Sequence, residues 1–318
     1  MRMSNVTIRE LAAACGVSIS TVSKALNRSE RISPETARRI EKTAAELGYV
    51  GNRAARALSS RGRRVALVLP TATAHLERYR TAYREMEPTL LAYGLTLCEV
   101  APEEAEGYDA VVAHAAMAPR LSLGEEKPVV LFGGRAPALH PLAEVFPDYR
   151  VGGRLAAQFL AFATGGGTAA ILTTRRGTQG EDEAVRGFRE LSAKLGVSVS
   201  AVVECGDNPR SVSAEVRRLL AAAPRLRGLF VIGPITSAVV ATLGEGRRRL
   251  AVVASDFTRP ALEALRGGSV SALLYPSPER LLTTALRALL ATLTGHPTAT
   301  AQTVRQELVI KSNLESYL

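Results

Sequence analysis

Between Ser18 and Lys24 the chain reads Ser-Ile-Ser-Thr-Val-Ser-Lys. Four short hydroxyls and one ammonium at the start of a helix suit close contact with a nucleic acid. The hydroxyls exchange hydrogen bonds with bases and phosphates at short range, and Lys24 can pair with guanine or phosphate. That chemistry needs an exposed helix held by partners, and the flanking residues supply them. Thr7 and Glu10 form a capping box that opens a first helix, whose apolar stripe is Ile8, Leu11, Ala12 and Ala14. Gly16 ends it, because the turn needs a residue that tolerates positive φ. Ser18 then caps a second helix running to about Asn27, with Val22, Ala25 and Leu26 inward and Ile19, Ser20, Thr21, Ser23 and Lys24 outward. A third helix begins after Ser33 with Pro34 at its first position, buries Ala37, Ile40, Ala44 and Leu47, and stops at Gly48. In a helix-turn-helix the first residues of the second helix meet base edges in the major groove.

The charge points the same way. Residues 1–64 hold 13 Lys+Arg against 5 Asp+Glu, so +8 of the net +10 sits on the first fifth of 318 residues. A basic segment joined to a nearly neutral remainder implies a polyanionic partner for the first part alone. Asn52-Arg53-Ala54-Ala55-Arg56-Ala57-Leu58 is basic, alanine-rich and too short to be helical by itself, and residues 59–64 read as a linker.

Other chemistries lack their residues. His75, His114, His140 and His296 are scattered with no HxxxH or triad spacing, so no catalytic group and no metal site is expected. Gly165-Gly166-Gly167-Thr168 lacks the spaced glycine and lysine of a phosphate loop and reads as a flexible connection. Cys15, Cys98 and Cys205 form no metal or disulfide framework, and reduced, buried thiols in the cytoplasm are expected. No cofactor is implied. A run of about 18 apolar residues is absent, as is an apolar leader, so no membrane association is expected. Arg247-Arg248-Arg249 reads as a solvated turn.

From Val65 onward the pattern alternates. Short apolar runs at 65–70, 93–100, 108–115, 127–134, 168–174, 227–233 and 249–257 read as strands, and 75–93, 152–163, 181–196 and 211–223 as helices. The fold class is therefore α/β: a three-helix head followed by two doubly wound parallel-sheet subdomains with a ligand cleft at the strand C-terminal ends.

The run TIRELAAACGVSISTVSKALN, then ISPETARRI, then ELGYVGNRAARAL closely resembles the DNA-binding head of the lactose-repressor (LacI/GalR) family. The likeness continues more weakly in Pro147–Ala156, Arg186-Gly187-Phe188, Val252–Phe257 and Leu308–Ser312. The resemblance implies a periplasmic-binding-protein-like body and a division into a head (1–51), a hinge helix and linker (52–64) and an effector-binding, dimerising body (65–318). It places Ser18, Ile19, Ser20, Thr21 and Lys24 in the major groove. Thr7, Ser23, Asn27, Arg31, Ser33, Thr36, Tyr49 and Asn52 fall near phosphates or sugars, although capping alone explains Thr7 and Ser33. Arg53 joins the DNA-binding set, and Leu58 is the wedge pushed into the minor groove.

Departures from the family pattern concentrate in the body. Ala184 stands where an arginine commonly grips sugar hydroxyls, Gly233-Pro234 replaces an Asn-Asp pair, and Tyr149, Ala254 and Phe257 also differ. Asp148, Asp256 and Tyr275 remain as effector-binding candidates, the two aspartates being equally explicable as caps. The expected protein is a DNA-binding regulator acting on a double-stranded operator as a homodimer, with a small-molecule effector (sugar, nucleoside or other metabolite). An effector-independent body serving only dimerisation or protein contacts is the alternative, and a sugar-processing enzyme or solute-binding protein on the same fold is the third reading.

Overall fold

A computed structural model of the chain describes residues 8–26, 32–47, 62–71, 73, 75–175, 177–245, 250–296 and 298–317. The chain divides into two compact units, Met1–Arg63 with Pro88–Thr96, and Arg64–Glu87 with Leu97–Leu318.

The head consists of α1 (Ile8–Ala14), α2 (Ile19–Leu26) and α3 (Pro34–Glu46). Gly16 takes φ +63° in the turn between the first two, the left-handed conformation that a side chain resists. Ser18 Oγ accepts from Thr21 N at 3.1 Å, and Ser33 Oγ accepts from Thr36 N at 3.3 Å, so both serines cap the helices they precede. Leu11, Val22, Ala25, Ile40 and Ala44 close a small apolar core, with Cys15 at its edge. The Arg39 guanidinium donates to the Cys15 carbonyl at 3.4 Å, tying α3 to the end of α1.

The body carries two six-stranded sheets. The first has the order β11-β5-β4-β3-β1-β2, from β1 (Arg63–Val68), β2 (Leu95–Glu99), β3 (Ala110–His114), β4 (Val129–Phe132), β5 (Ala143–Pro147) and β11 (Ala301–Val304). The second has the order β12-β10-β9-β8-β6-β7, from β6 (Gly167–Thr173), β7 (Val197–Glu204), β8 (Leu226–Ile232), β9 (Ala251–Ala254), β10 (Ala272–Tyr275) and β12 (Glu307–Val309). Pairing is parallel in both, except that β12 runs antiparallel to β10. β4 and β10 are buried along their whole length and β3 up to His114, as expected where helices cover both faces.

The helices are α4 (Leu76–Ala92), α5 (Tyr149–Thr164), α6 (Gln179–Ser192), α7 (Pro209–Ala222), α8 (Thr236–Glu245), α9 (Arg259–Gly267) and α10 (Pro278–Leu293). The four expected helices are α4 to α7, with shifted ends; α8, α9 and α10, and the strands β5, β10 and β11, carry no counterpart in the sequence reading. Helix α5 starts at Tyr149 rather than 152, because Asp148 supplies the cap: its Oδ1 accepts from Val151 N at 3.0 Å. The glycine run at 165–167 is no flexible connection. Gly165 is the left-handed cap of α5, and Gly167 already opens β6. Cys15 and Cys205 are buried free thiols as expected, but Cys98 is only half-buried. Arg247–Arg249 lie outside the described residues.

Chain crossings between the sheets fix the site. The first leaves β5 at Pro147 for α5, the second leaves β10 for α10, and the third joins β11 to β12 through Arg305 and Gln306. Asp148 N donates to the Val304 carbonyl at 2.7 Å, and Ser277 Oγ to the Arg305 carbonyl at 3.4 Å, so the three crossings lie side by side. Helices α5 and α6 touch through glycine. A Cβ on Gly153 would lie 2.0 Å from the Ala184 carbonyl oxygen, and one on Gly187 would lie 2.0 Å from that of Arg150.

Candidate nucleic-acid interface and ligand cavity

The start of α2 is an open surface. Ser18, Ile19, Ser20 and Lys24 are exposed and Thr21 half-exposed; Ile19 keeps 45% of its surface, unusual for so apolar a residue in so small a domain. The hydroxyls of Ser18 and Thr21 lie 2.8 Å apart, and Ser33 donates to Thr36 at 2.8 Å, so these four are held in place by their own capping bonds while still facing water. Only the backbone of Ser23 is described, and Thr7, Asn27, Arg31, Tyr49, Asn52, Arg53 and Leu58 lie outside the described residues.

In the body, a cavity of about 720 Å³ opens at the C-terminal ends of β5, β8, β9 and β10, against the first turns of α5 and α6 and the crossing strands. Such strand ends are where open parallel sheets hold ligands. Its apolar wall is Phe146, Tyr149, Phe230, Ile232 and Leu274. Its charged groups are mostly engaged elsewhere. Arg135 pairs with the buried Glu144 at 2.7 Å and also bonds Gln179, while its guanidinium lies 5.3 Å from the Phe146 ring centre. Arg150 pairs with Glu190. The Glu181 carboxylate accepts from the hydroxyls of Thr173 and Thr174 and from Arg175 N. Burial pushes the Tyr149 phenol up to about 12.

Of the three effector candidates, Asp148 lines this cavity, and Asp256 and Tyr275 are not among its lining residues. Asp256 accepts from the Thr236 hydroxyl at 2.5 Å, and burial raises its pKa against the opposing hydrogen bonds. The Tyr275 hydroxyl bonds both oxygens of Glu279 at 2.8 Å, and Arg78 pairs with the same carboxylate. Gln306 and Arg135, which the sequence reading passed over, are in the wall instead. In the sequence Gln306 is one of three consecutive polar residues, Arg305-Gln306-Glu307, and carried no signal of its own. Ala184 also lines the cavity, its backbone pressed on Gly153.

A second group joins residues that spacing alone left unrelated. The His75 ring stacks on Phe257 with centres 5.6 Å apart, and Tyr79 bridges to His114 and Phe132 at 6.0 and 5.2 Å. Gly133, at φ +78°, makes room for the His114 ring, since a Cβ there would lie 2.2 Å from its Nε2. Burial lowers the pKa of both His75 and His114 to about 4, with Arg78 adding to the effect on His75 and Glu279 opposing it. The unfolded chain takes up these protons near pH 6.5, so the stability given by the neutral rings is complete above that pH and lost as pH falls towards 4. The melting temperature of the body should therefore drop steeply between pH 6.5 and 4, and His75→Phe should flatten the drop; an unchanged slope in the variant would remove His75 as its source.

Among the described residues there is no cluster of three or more His, Cys, Asp or Glu able to hold a metal, and no helix long and apolar enough to cross a membrane.

A profile for bacterial regulatory proteins of the lacI family matches residues 7–52. The chain is 26% identical over 235 residues to the HTH-type transcriptional regulator DegA of Bacillus subtilis, covering 67% of this chain and 69% of that one. It is 45% identical over 60 residues to the maltose regulon regulatory protein MalI of Vibrio furnissii, and 43% over 60 residues to the transcriptional regulator CelR of Thermobifida fusca. These two matches span 44% and 18% of those proteins and fall on short segments of this chain. The body has the fold of solved sugar-binding proteins. AraP, an arabinose binding protein from Geobacillus stearothermophilus, superposes with TM-score 0.69 at 15% identity over 80% of this chain and 99% of its own. GanP, a glucose-galactose binding protein from the same organism, gives 0.63 at 18% identity over 79% of this chain and 99% of its own. The lacI-family likeness thus falls on the described helices of the head and the exposed start of α2, and the body shares the fold of the solved sugar-binding proteins.

Proposed function

We propose that the protein is a cytoplasmic transcriptional repressor that binds a palindromic double-stranded operator as a homodimer and changes its affinity when a small metabolite fills the cavity. Two heads on a two-fold axis match an operator with two related half-sites. Ser18, Ile19, Ser20, Thr21 and Lys24 read the major groove, and the segment 52–58 places Leu58 in the minor groove. The observation that carries the effector role is that the cavity takes its wall from β5, from the second sheet and from the crossing strands together. A ligand seated there fixes the angle between the two sheets, and a ligand controls an equilibrium only through such a difference in contacts between states. The names of the structural relatives, which bind arabinose or glucose and galactose, support a small polar metabolite as the ligand.

The test is selection of genomic fragments by the purified protein, followed by titration of the selected duplex with and without a metabolite panel. Salt-dependent preference for a palindromic duplex, altered by one metabolite, is the expected result. Indifference to every duplex would overturn DNA recognition; a preference that no metabolite alters would favour a body that only dimerises. On the selected duplex Lys24→Ala should cost roughly 1–3 kcal/mol if its ammonium contacts a base. A change confined to the salt slope would reassign it to phosphate.

A further inference from the structure

The two sheets of the body touch through side chains as well as through their three crossings. His75, at the start of α4, stacks on Phe257, which follows β9 of the second sheet, with ring centres 5.6 Å and planes 20° apart. It also meets the edge of Tyr275, the last residue of β10, at 6.1 Å. Its helix belongs with the first sheet: α4 follows β1, and Tyr79, one turn on, packs against Phe132 of β4 at 5.2 Å. The backbone of His75 is fixed at the helix start, its N–H donating to the Thr73 hydroxyl at 3.2 Å and its carbonyl accepting from Tyr79 N at 3.0 Å. Phe257 and Tyr275 are buried and pack edge to face at 4.9 Å, so the second sheet builds the seat by itself. A polar contact runs alongside. Arg78 of α4 pairs with Glu279 in the first turn of α10, and the same carboxylate accepts from the Tyr275 hydroxyl at 2.8 Å.

We propose that the His75 ring is a proton-operated latch on the two sheets: neutral, it sits on Phe257 and holds them together; protonated, it leaves the stack for water and frees them to turn about the crossings. Asp148, Pro276-Ser277 and Arg305-Gln306 are the whole of those crossings, and short segments of this kind are what absorb the φ and ψ changes of a hinge. The stack responds to protons because the ring is desolvated. Burial lowers its pKa to about 4, with Glu279 opposing and Arg78 adding to the effect. The ionisable groups around it are Arg78 and Tyr79 on its own helix, Glu279 on α10, Tyr275 on β10 and His114 at the end of β3. Of these only Glu279 is an anion, and Arg78 and Tyr275 already share it. A ring released to water titrates near 6.5, so protons bind the open form more tightly. The closed form is complete above that pH and is lost as pH falls towards 4. At pH 5 the difference shifts the balance towards the open form by about 30-fold. Ser255, Leu274 and Pro276 line the cavity and flank Phe257 and Tyr275 in the chain, so opening the latch moves the cavity wall. The latch itself needs no ligand, and it stands or falls apart from the effector reading.

The full chain should carry two spin labels, on Glu125→Cys, exposed between β3 and β4, and on Ala214→Cys, exposed on α7, with Cys98→Ser to remove the half-buried thiol. Diluted into unlabelled protein, it reports the distance between the sheets of one chain by pulsed dipolar spectroscopy. One distance is expected near pH 7.5, and a second near pH 5 with the far-ultraviolet circular dichroism unchanged. His75→Phe keeps a ring on Phe257 and takes no proton, so it should hold the single distance at both pH values. Phe257→Leu keeps apolar bulk but removes the ring face, so it should show the second distance already near pH 7.5. A single distance in wild type at both pH values would overturn the latch. A second distance of equal weight in wild type and His75→Phe would also overturn it, since another group would then drive the opening. Loss of the circular dichroism near pH 5 in place of a second distance would do the same, because the ring would be released only by unfolding.

Discussion

Gly153→Ala should lower the melting temperature of the body by about 10 °C. The added methyl would lie 2.0 Å from the Ala184 carbonyl oxygen, 2.8 Å from Phe188 N and 2.9 Å from the Ala184 carbonyl carbon. All three are backbone atoms of α6, so no side chain can rotate out of the way and the helices must separate. Overpacking of this kind costs about 3 kcal/mol, the upper end of its usual range, and each kcal/mol moves the midpoint of a domain this size by roughly 2–4 °C. Gly267→Ala is the control. Nothing lies within 4 Å of a Cβ there, it is at the end of α9, and its φ is ordinary, so calorimetry should show no loss. The first turns of α5 and α6 also line the cavity, so the same variant should weaken the ligand. A Gly153→Ala protein melting within a degree or two of wild type would mean that the helices are not held this closely.

Ile40→Ala should abolish operator recognition while sparing the body. Ile40 is fully buried, and with Leu11 and Val22 it makes up most of the bulk of the head core. Truncation of a buried isoleucine costs about 2–5 kcal/mol. A domain of about fifty residues has little more than that to lose. Without the core, α2 has nothing to hold it at the angle its exposed face needs. Anisotropy with the selected duplex should show at least hundredfold weaker binding, and calorimetry should show the transition of the body at its original temperature. Wild-type affinity in the variant would show that the head is not the reader.

Local signals were legible in the chain wherever a residue acts on its near neighbours. Ser18, Gly16, Ser33 and Pro34 mark helix ends because caps and positive φ are matters of one turn, and the apolar runs of β1, β3 and β4 mark strands because both their faces are buried. The start of α5 was read three residues late, because Gly152-Gly153 resembles a break; these glycines instead admit Gln306 and α6, elements far away in sequence. Asp148, Asp256 and Tyr275 were chosen by position at strand ends. Whether such a residue faces a cavity depends on partners such as Thr236 and Glu279, brought in by packing. The pairs Arg135–Glu144 and Arg78–Glu279 are of the same kind: each side chain is ordinary, and only the fold makes them meet. His75 and His114 showed no spacing because they meet through Tyr79, on a different element from His114.

The three crossings have a consequence for synthesis. The first sheet is completed by β11 at Ala301–Val304, and α10, Pro278–Leu293, packs on β4 and β5. The second sheet gains its last strand only at Glu307–Val309. The described core of the head, by contrast, is made of residues between Leu11 and Ala44. At about 5–20 residues per second, the head emerges from the ribosome tens of seconds before either sheet can finish. A chain stopped near residue 295 thus keeps the head and lacks the last edge strand of each sheet, β11 and β12. Such early-terminated chains hold a basic domain free to visit DNA with no regulated partner, and their unfinished strand edges make them substrates for quality control.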